Sequence, residues 1–183
     1  MSKWSNFYST KCNKTYVDYL RNQYSPFLKL INQAAPCGKR IAEMGCGTGS
    51  ITKILMESAP SNSYHILDRD PEMLNIATSN ALGATSELGS ILDSITDTYD
   101  IIHSHGVLEH FDMEDVRKII KLQLESANTL IHYVPGSLHK TPSFGDERLV
   151  TLNEWIKETA PNQVLTFNSD HDYILIWENK CLA

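Results

Sequence analysis

Three groups of residues in this chain of 183 have the types and spacing that chemistry needs. The first is a carboxylate running into closely spaced glycines, Glu43-Met-Gly45-Cys46-Gly47-Thr-Gly49. Glycine lets a backbone approach a ligand closely because no β-carbon intervenes, and a helix from about Thr48 to Ser58 would aim its free N–H groups over that turn. The second is Asp68, closing the apolar run Tyr64–Leu67 nineteen residues past Gly49. An acid in that place can accept hydrogen bonds from both hydroxyls of a ribose. The third is a set of proton-handling groups, His105 and His110 in the middle of the chain and Tyr8 near its start.

The charge on Glu43 selects the ligand. A dinucleotide-binding turn reads G-x-G-x-x-G/A and lays a pyrophosphate on the helix N-terminus. Here Ser50 stands at the third glycine position and the extra glycine falls one place early, at Gly49. Glu43 would repel a diphosphate but suits an α-ammonium or a sulfonium. S-adenosylmethionine carries both and has no phosphate, so it is the predicted cofactor.

With those residues in view, the chain resembles the class I S-adenosylmethionine-dependent methyltransferases. Glu43 to Gly49 is similar to their first motif and Leu67-Asp68-Arg69-Asp70-Pro71-Glu72-Met73-Leu74 to their second. Tyr99-Asp100-Ile101-Ile102, followed by Val107-Leu108-Glu109-His110, is similar to their fourth. The resemblance is good from about Lys39 to Pro135 and elsewhere lies in the order of elements. It implies cofactor contacts from Glu43, Gly45, Cys46, Gly47, Gly49, Asp68, Arg69 and Met73, with Ser90 and Ile91 beside the adenine. Many relatives have an acid where Ser90 stands, so Ser90 or Asp93 would hold the adenine amino group.

Methyl transfer is an in-line displacement in which the protein aligns the nucleophile and, for a hydroxyl or amine, removes a proton. His105, at the tip of the fourth strand, is a candidate base or a pocket-lining cofactor contact; His110 and Tyr8 complete the catalytic candidates. His103 reads as a partner of neighbouring elements. Glu109-His110 resembles part of the E-x-x-E-H cluster of magnesium-assisted O-methyltransferases, but Gly106 stands where their other glutamate lies, so no metal is expected. Cys46 reads as a small space-filling residue of the turn.

The elements that must position these residues follow from periodicity. Val17, Leu20, Tyr24, Phe27, Leu28 and Ile31 give a helical spacing over about 14–33, which Pro26 kinks or splits. From Lys39 strands and helices alternate, which implies parallel βαβ units. Asp70-Pro71 starts a helix to Asn80, Asp112 caps one to about Ser126, and Thr151-Leu-Asn-Glu154 is a capping box. Strands are expected near 84–88, 99–104 and 129–134, with a hairpin of Val164–Phe167 and Tyr173–Trp177. Little room remains for a helix between Ser90 and Thr98. The expected fold is α/β: a Rossmann-like, seven-stranded, mostly parallel sheet flanked by helices, its order 3-2-1-4-5-7-6 implied by the resemblance. Residues 1–183 read as one domain, with 1–36 an N-terminal helical cap and 37–183 the core. Trp4 and Tyr8 are expected in a lid over the cofactor, Tyr16 and Tyr19 in packing, and Phe144 or Arg148 on the wall facing the lid.

Composition narrows the partners. A hydrophobic content of 42 % and a charged content of 21 % are ordinary for a globular protein. A net charge of −6 without a basic cluster counts against tight binding to a nucleic-acid backbone. No run is apolar enough to span a membrane and no signal-peptide core precedes the first helix, so the expected setting is cytoplasmic. Cys12, Cys37, Cys46 and Cys181 have no metal-like spacing and read as free thiols. The sequence therefore points to methyl transfer onto oxygen or nitrogen of a small molecule. A methyltransferase of protein or RNA and a cofactor-binding, non-catalytic member are the alternatives, and Glu43 with the misplaced glycine opposes a nucleotide-dependent oxidoreductase.

Overall fold

A computed structural model describes residues 3–8, 13–141 and 146–179. Seven strands, β1 (Arg40–Met44), β2 (Ser63–Asp68), β3 (Thr85–Leu88), β4 (Tyr99–His105), β5 (Ala127–Pro135), β6 (Gln163–Phe167) and β7 (Asp172–Glu178), form one sheet. Its order is β3-β2-β1-β4-β5-β7-β6, as expected; β7 pairs antiparallel with both β5 and β6, and the other pairs are parallel.

Strand alternation explains why this sheet is covered on both faces. Ile41, Ile101, Ile131, Ile174 and Ile176 point to one face. There they meet Phe27, Leu28 and Ile31 of α3 (Ser25–Ala34) and Ile51, Ile54 and Leu55 of α4 (Ser50–Ser58). Their neighbours Ala42, Ile102, Leu130, Leu175 and Trp177 point to the other face. That face packs on Val116, Ile119 and Ile120 of α6 (Met113–Leu124) and Trp155 of α7 (Leu152–Thr159). Side chains of period two feed two cores.

Local signals set the helix ends. Asp70 accepts from the N–H groups of Glu72 and Met73 to start α5 (Pro71–Asn80), Asp112 caps α6, and Thr151 caps α7. The N-terminal helical stretch breaks at Tyr24 into α2 (Lys14–Gln23) and α3, with Pro26 in the first turn of α3. No helix lies between β3 and β4, in keeping with the short spacing there. One expectation fails: Trp4 and Tyr8 were placed outside helical structure, yet Lys3–Tyr8 forms a short helix, α1. Among the described residues no helix is long and apolar enough to cross a membrane.

His103 departs from its expected role. It is fully buried on β4, and neither ring nitrogen has a hydrogen-bond partner. Burial, followed by the neighbouring His132 and His105, pushes its pKa down to about 3. A group depressed in this way contributes stability above its unfolded pKa, near ~6.5, and loses it as pH falls toward the folded value. His103→Leu removes two unsatisfied atoms at similar volume and should stabilise the fold by about 1–2 kcal/mol at pH 7.5. The gain should grow by about 2 kcal/mol at pH 5, where only the unfolded histidine is protonated. Urea denaturation at both pH values checks this; a variant no more stable than the parent would show that His103 has a partner in solution.

Candidate active site

The turn after β1 is built on left-handed backbone. Gly45, Gly47 and Gly49 have φ of 72°, 52° and 69°, a region strained for any residue with a side chain. The Gly45 and Cys46 N–H groups donate to the Leu67 carbonyl at 2.8 and 3.0 Å, which ties the turn to the end of β2. An added β-carbon at Gly45 would meet Val107 at 2.8 Å. Gly49 differs from its neighbours, because it does not line the cleft over the turn. A β-carbon there would lie 3.0 Å from the backbone of Ala77, so its smoothness lets α4 pack on α5.

That cleft holds about 930 Å³ of open space between its walls, within the usual range for small-molecule sites. Every other candidate cofactor residue borders it: Glu43, Gly45, Cys46, Gly47, Asp68, Arg69, Met73, Ser90, Ile91 and His105. So do the other two catalytic candidates, His110 and Tyr8.

Two acids sit at its base. Glu43 is 2 % exposed, and its Oε2 accepts from the Thr52 N–H at 3.0 Å and from the Thr52 hydroxyl. Burial pushes its pKa up to about 8 against the pull of those bonds, and among the described residues no cation lies within 4 Å of it. Such a carboxyl favours a ligand cation. Asp68 accepts from Gly47 N–H at Oδ2 (2.8 Å) and from Asp70 N–H at Oδ1 (2.9 Å), which leaves one lone pair on each oxygen for a ligand. Its carboxyl is raised by burial, with the two backbone bonds opposing. Cys46 is buried and its thiol is pushed up, first by burial and then by Glu43 and Asp68, so it has no thiolate to offer as a nucleophile.

At the far end of β3, Ser90 and Ile91 border the cleft, while the Asp93 carboxylate accepts from the Ser90 N–H at 3.0 Å and lies outside it. Of the two side chains considered for the adenine, Ser90 is therefore the one in place. Ser90 also accepts from Leu92 N–H at 3.2 Å, which holds its hydroxyl.

The opposite wall is aromatic. Trp4, Tyr8, Tyr16, His105, His110 and Phe111 line it. Tyr16 was expected only in packing; it reaches the cleft, whereas Tyr19 is 52 % exposed. His105 is wedged between Tyr133, stacked at 4.5 Å, and Tyr24, edge-on at 4.1 Å. Burial pushes its pKa down to about 4, so the ring is neutral at pH 7, and its Nε2 has no partner. Tyr8 is pushed up to about 12, first by burial, and stays protonated as a donor. His110 meets the Asp146 carboxylate at 3.0 Å and stands edge-on to Trp4 at 5.2 Å.

Sequence reasoning missed the support behind His105. Tyr133 donates to buried Asp172 at 2.9 Å, and His139 meets the same oxygen at 2.9 Å. Asp172 arrives because β7 runs antiparallel and starts beside Pro135, at the carboxyl edge of the parallel strands. No local signal marks it. Phe144, Cys12 and Cys181 lie outside the described residues; Cys37 and Cys46 are free thiols. Among the described residues no three His, Cys, Asp or Glu side chains are placed to hold a metal ion.

Residues 41–128 match a family described as a methyltransferase domain. The chain is similar to the trans-aconitate 2-methyltransferase of Mycolicibacterium gilvum, 26 % identical over 145 residues that cover 77 % of this chain and 54 % of that protein. The trans-aconitate 2-methyltransferase of Mycobacterium tuberculosis is 27 % identical, with 76 % and 53 % covered. The chain thus spans about half the length of the curated relatives it matches. Among solved structures, the PH0226 protein of Pyrococcus horikoshii superposes with a TM-score of 0.75 at 12 % identity, covering 98 % of this chain and all of that one. The magnesium protoporphyrin IX methyltransferase of Synechocystis, solved with bound SAH, gives 0.70 at 18 % identity, covering 95 % and 91 %. At these identities the two structures speak to fold.

Proposed function

We infer that this chain, which belongs to the class I S-adenosylmethionine-dependent methyltransferase superfamily, transfers a methyl group from that donor to an oxygen or nitrogen of a small molecule. One observation carries the reading: a single cleft has two carboxylates at its base and an aromatic wall opposite them. The residues fit the cofactor. Glu43 is a buried acid without a cation and suits the α-ammonium; Asp68 keeps a free lone pair on each oxygen for the two ribose hydroxyls. Ser90 and Ile91 would hold the adenine between them, with Met73 and Arg69 along the same side. Gly45 and Gly47 let the backbone come close.

When bound, S-adenosylmethionine supplies a methyl group on a positively charged sulfur, already activated for displacement. The chain's own part is alignment and exclusion of water. Trp4, Tyr8 and Tyr16 close over the cleft from α1 and α2 and act as the lid, so that residues 1–36 serve as a cap on a single domain. Tyr8 donates a hydrogen bond to the acceptor, and neutral His105 offers an unpartnered Nε2. His110, steadied by Asp146, stands at the rim.

A small-molecule acceptor is favoured over RNA or protein by the enclosed aromatic wall and the net charge of −6, and by relatives named for the methylation of trans-aconitate. Calorimetry tests the assignment directly. S-adenosylhomocysteine should bind tightly and NAD should give no signal; the reverse pattern would overturn the donor and with it the function.

A further inference from the structure

We propose that the methyl acceptor is a small organic acid with more than one carboxylate: the guanidinium of Arg148 pairs with one, and an oxygen of another takes the methyl group. The proposal rests on the reading of the cleft as a methyl-transfer site and names what that site accepts.

Arg148 is the anomaly that starts the argument. Its Nε and Nη2 are closed off from solvent without a hydrogen-bond partner, and among the described residues no carboxylate lies within 4 Å of it. Burying an arginine charge without a counter-charge is costly, and its planar fork matches a carboxylate better than any other common anion except phosphate. The residue is fixed beside the cleft on both sides. Its N–H donates to the Glu109 carbonyl at 2.9 Å, in the short turn Leu108–His110 whose last residue forms the rim. Before it, Asp146 holds the His110 ring; after it, Val150 donates to the Arg148 carbonyl at 2.9 Å and buries its side chain in the core.

The surrounding charges agree with an anionic guest. Both acids of the cleft, Glu43 and Asp68, lie on the cofactor side, and the aromatic wall has none. Of the acids near the rim, Asp146 is engaged by His110, and Glu109, pushed up to about 8 by burial, is mostly protonated at pH 7. Glu147 has interactions of its own and does not pair with Arg148.

The chemistry agrees as well. An alcohol or amine acceptor must lose a proton, and the cleft is poor in bases: His105 is held neutral far below pH 7, and Tyr8 keeps its proton. A carboxylate arrives ionised. Its oxygen lone pair forms the new O–C bond, the C–S bond breaks, and that electron pair stays on sulfur. The products are a methyl ester and S-adenosylhomocysteine, with no proton to move.

The test uses protein loaded with S-adenosylhomocysteine and titrated by calorimetry with acetate, succinate, citrate and trans-aconitate, and with trimethyl trans-aconitate as the uncharged control. Di- or tricarboxylates should bind and the triester should not. Arg148→Gln should weaken the acids by roughly tenfold or more while the affinity for S-adenosylhomocysteine stays the same. Should that variant fail to fold, Arg148→Lys carries the test: it keeps the charge, loses the fork and should bind the acids severalfold more weakly. With S-adenosylmethionine, mass spectrometry should find a methyl ester of a bound acid. If the loaded protein binds none of the acids, or Arg148→Gln binds them as well as the parent, the carboxylate assignment is wrong and the methyl-transfer reading stands. If S-adenosylhomocysteine itself does not bind the parent, that reading is the one that falls.

Discussion

Asp68→Ala should weaken S-adenosylhomocysteine binding by about 100-fold, since two hydrogen bonds to an ionised acceptor are worth about 3 kcal/mol together. The same change should lower stability by about 1–2 kcal/mol, because the protein itself uses this carboxylate. Asp68 accepts from Gly47 N–H at 2.8 Å and from Asp70 N–H at 2.9 Å, so it braces the glycine turn and the entry to α5 before any ligand arrives. Asp68→Asn separates the two effects. The amide keeps one acceptor oxygen, so it should recover part of the stability but little of the ribose binding. Calorimetry gives the affinity and thermal melting the stability. An alanine variant that binds S-adenosylhomocysteine as tightly as the parent would show that the ribose lies elsewhere.

Asp68 also marks what a sequence can carry. Its place at a strand end, the cap at Asp70 and the proline after it are neighbours in the chain, so a few residues suffice to read them. The same holds for the capped starts of α6 and α7 and for the period-two strands that feed the two cores. Legibility fails where a residue acts through a distant partner. Gly49 and Gly45 look alike in the chain, yet one faces Ala77 across a helix pair and the other lines the cleft. A missing β-carbon does not say what comes close. Asp172 reaches His105 only by the antiparallel return of β7, and Arg148, in a stretch without periodicity, gains meaning only where it docks on Glu109. Tyr16 sits on a short helix whose spacing gives its face but not which neighbours that face meets. Helix α1, six residues long and without a capping signal, offers no pattern to read.

The second large effect is a pH dependence set by Glu43. In the free protein burial holds its pKa up at about 8, so at pH 7 the carboxyl is mostly protonated. An α-ammonium beside it favours the carboxylate, and binding therefore expels a proton. Affinity for S-adenosylhomocysteine should fall by close to tenfold for each pH unit below about 8, and this group adds no further change above it. Titrations near pH 7 in buffers of different ionisation enthalpy should find close to one proton released per ligand. Glu43→Gln should bind more weakly, release none and flatten the profile. A pH-independent affinity without proton release would mean that the ammonium does not sit on Glu43. Stability follows with the opposite sign to His103. A carboxyl raised above its unfolded value of ~4.3 stabilises the free fold fully only below that value, and its contribution drains as pH rises toward 8. Bound ligand restores it. The rise in melting temperature on adding S-adenosylhomocysteine should accordingly be larger at pH 8 than at pH 6.5, and Glu43→Gln should erase the difference.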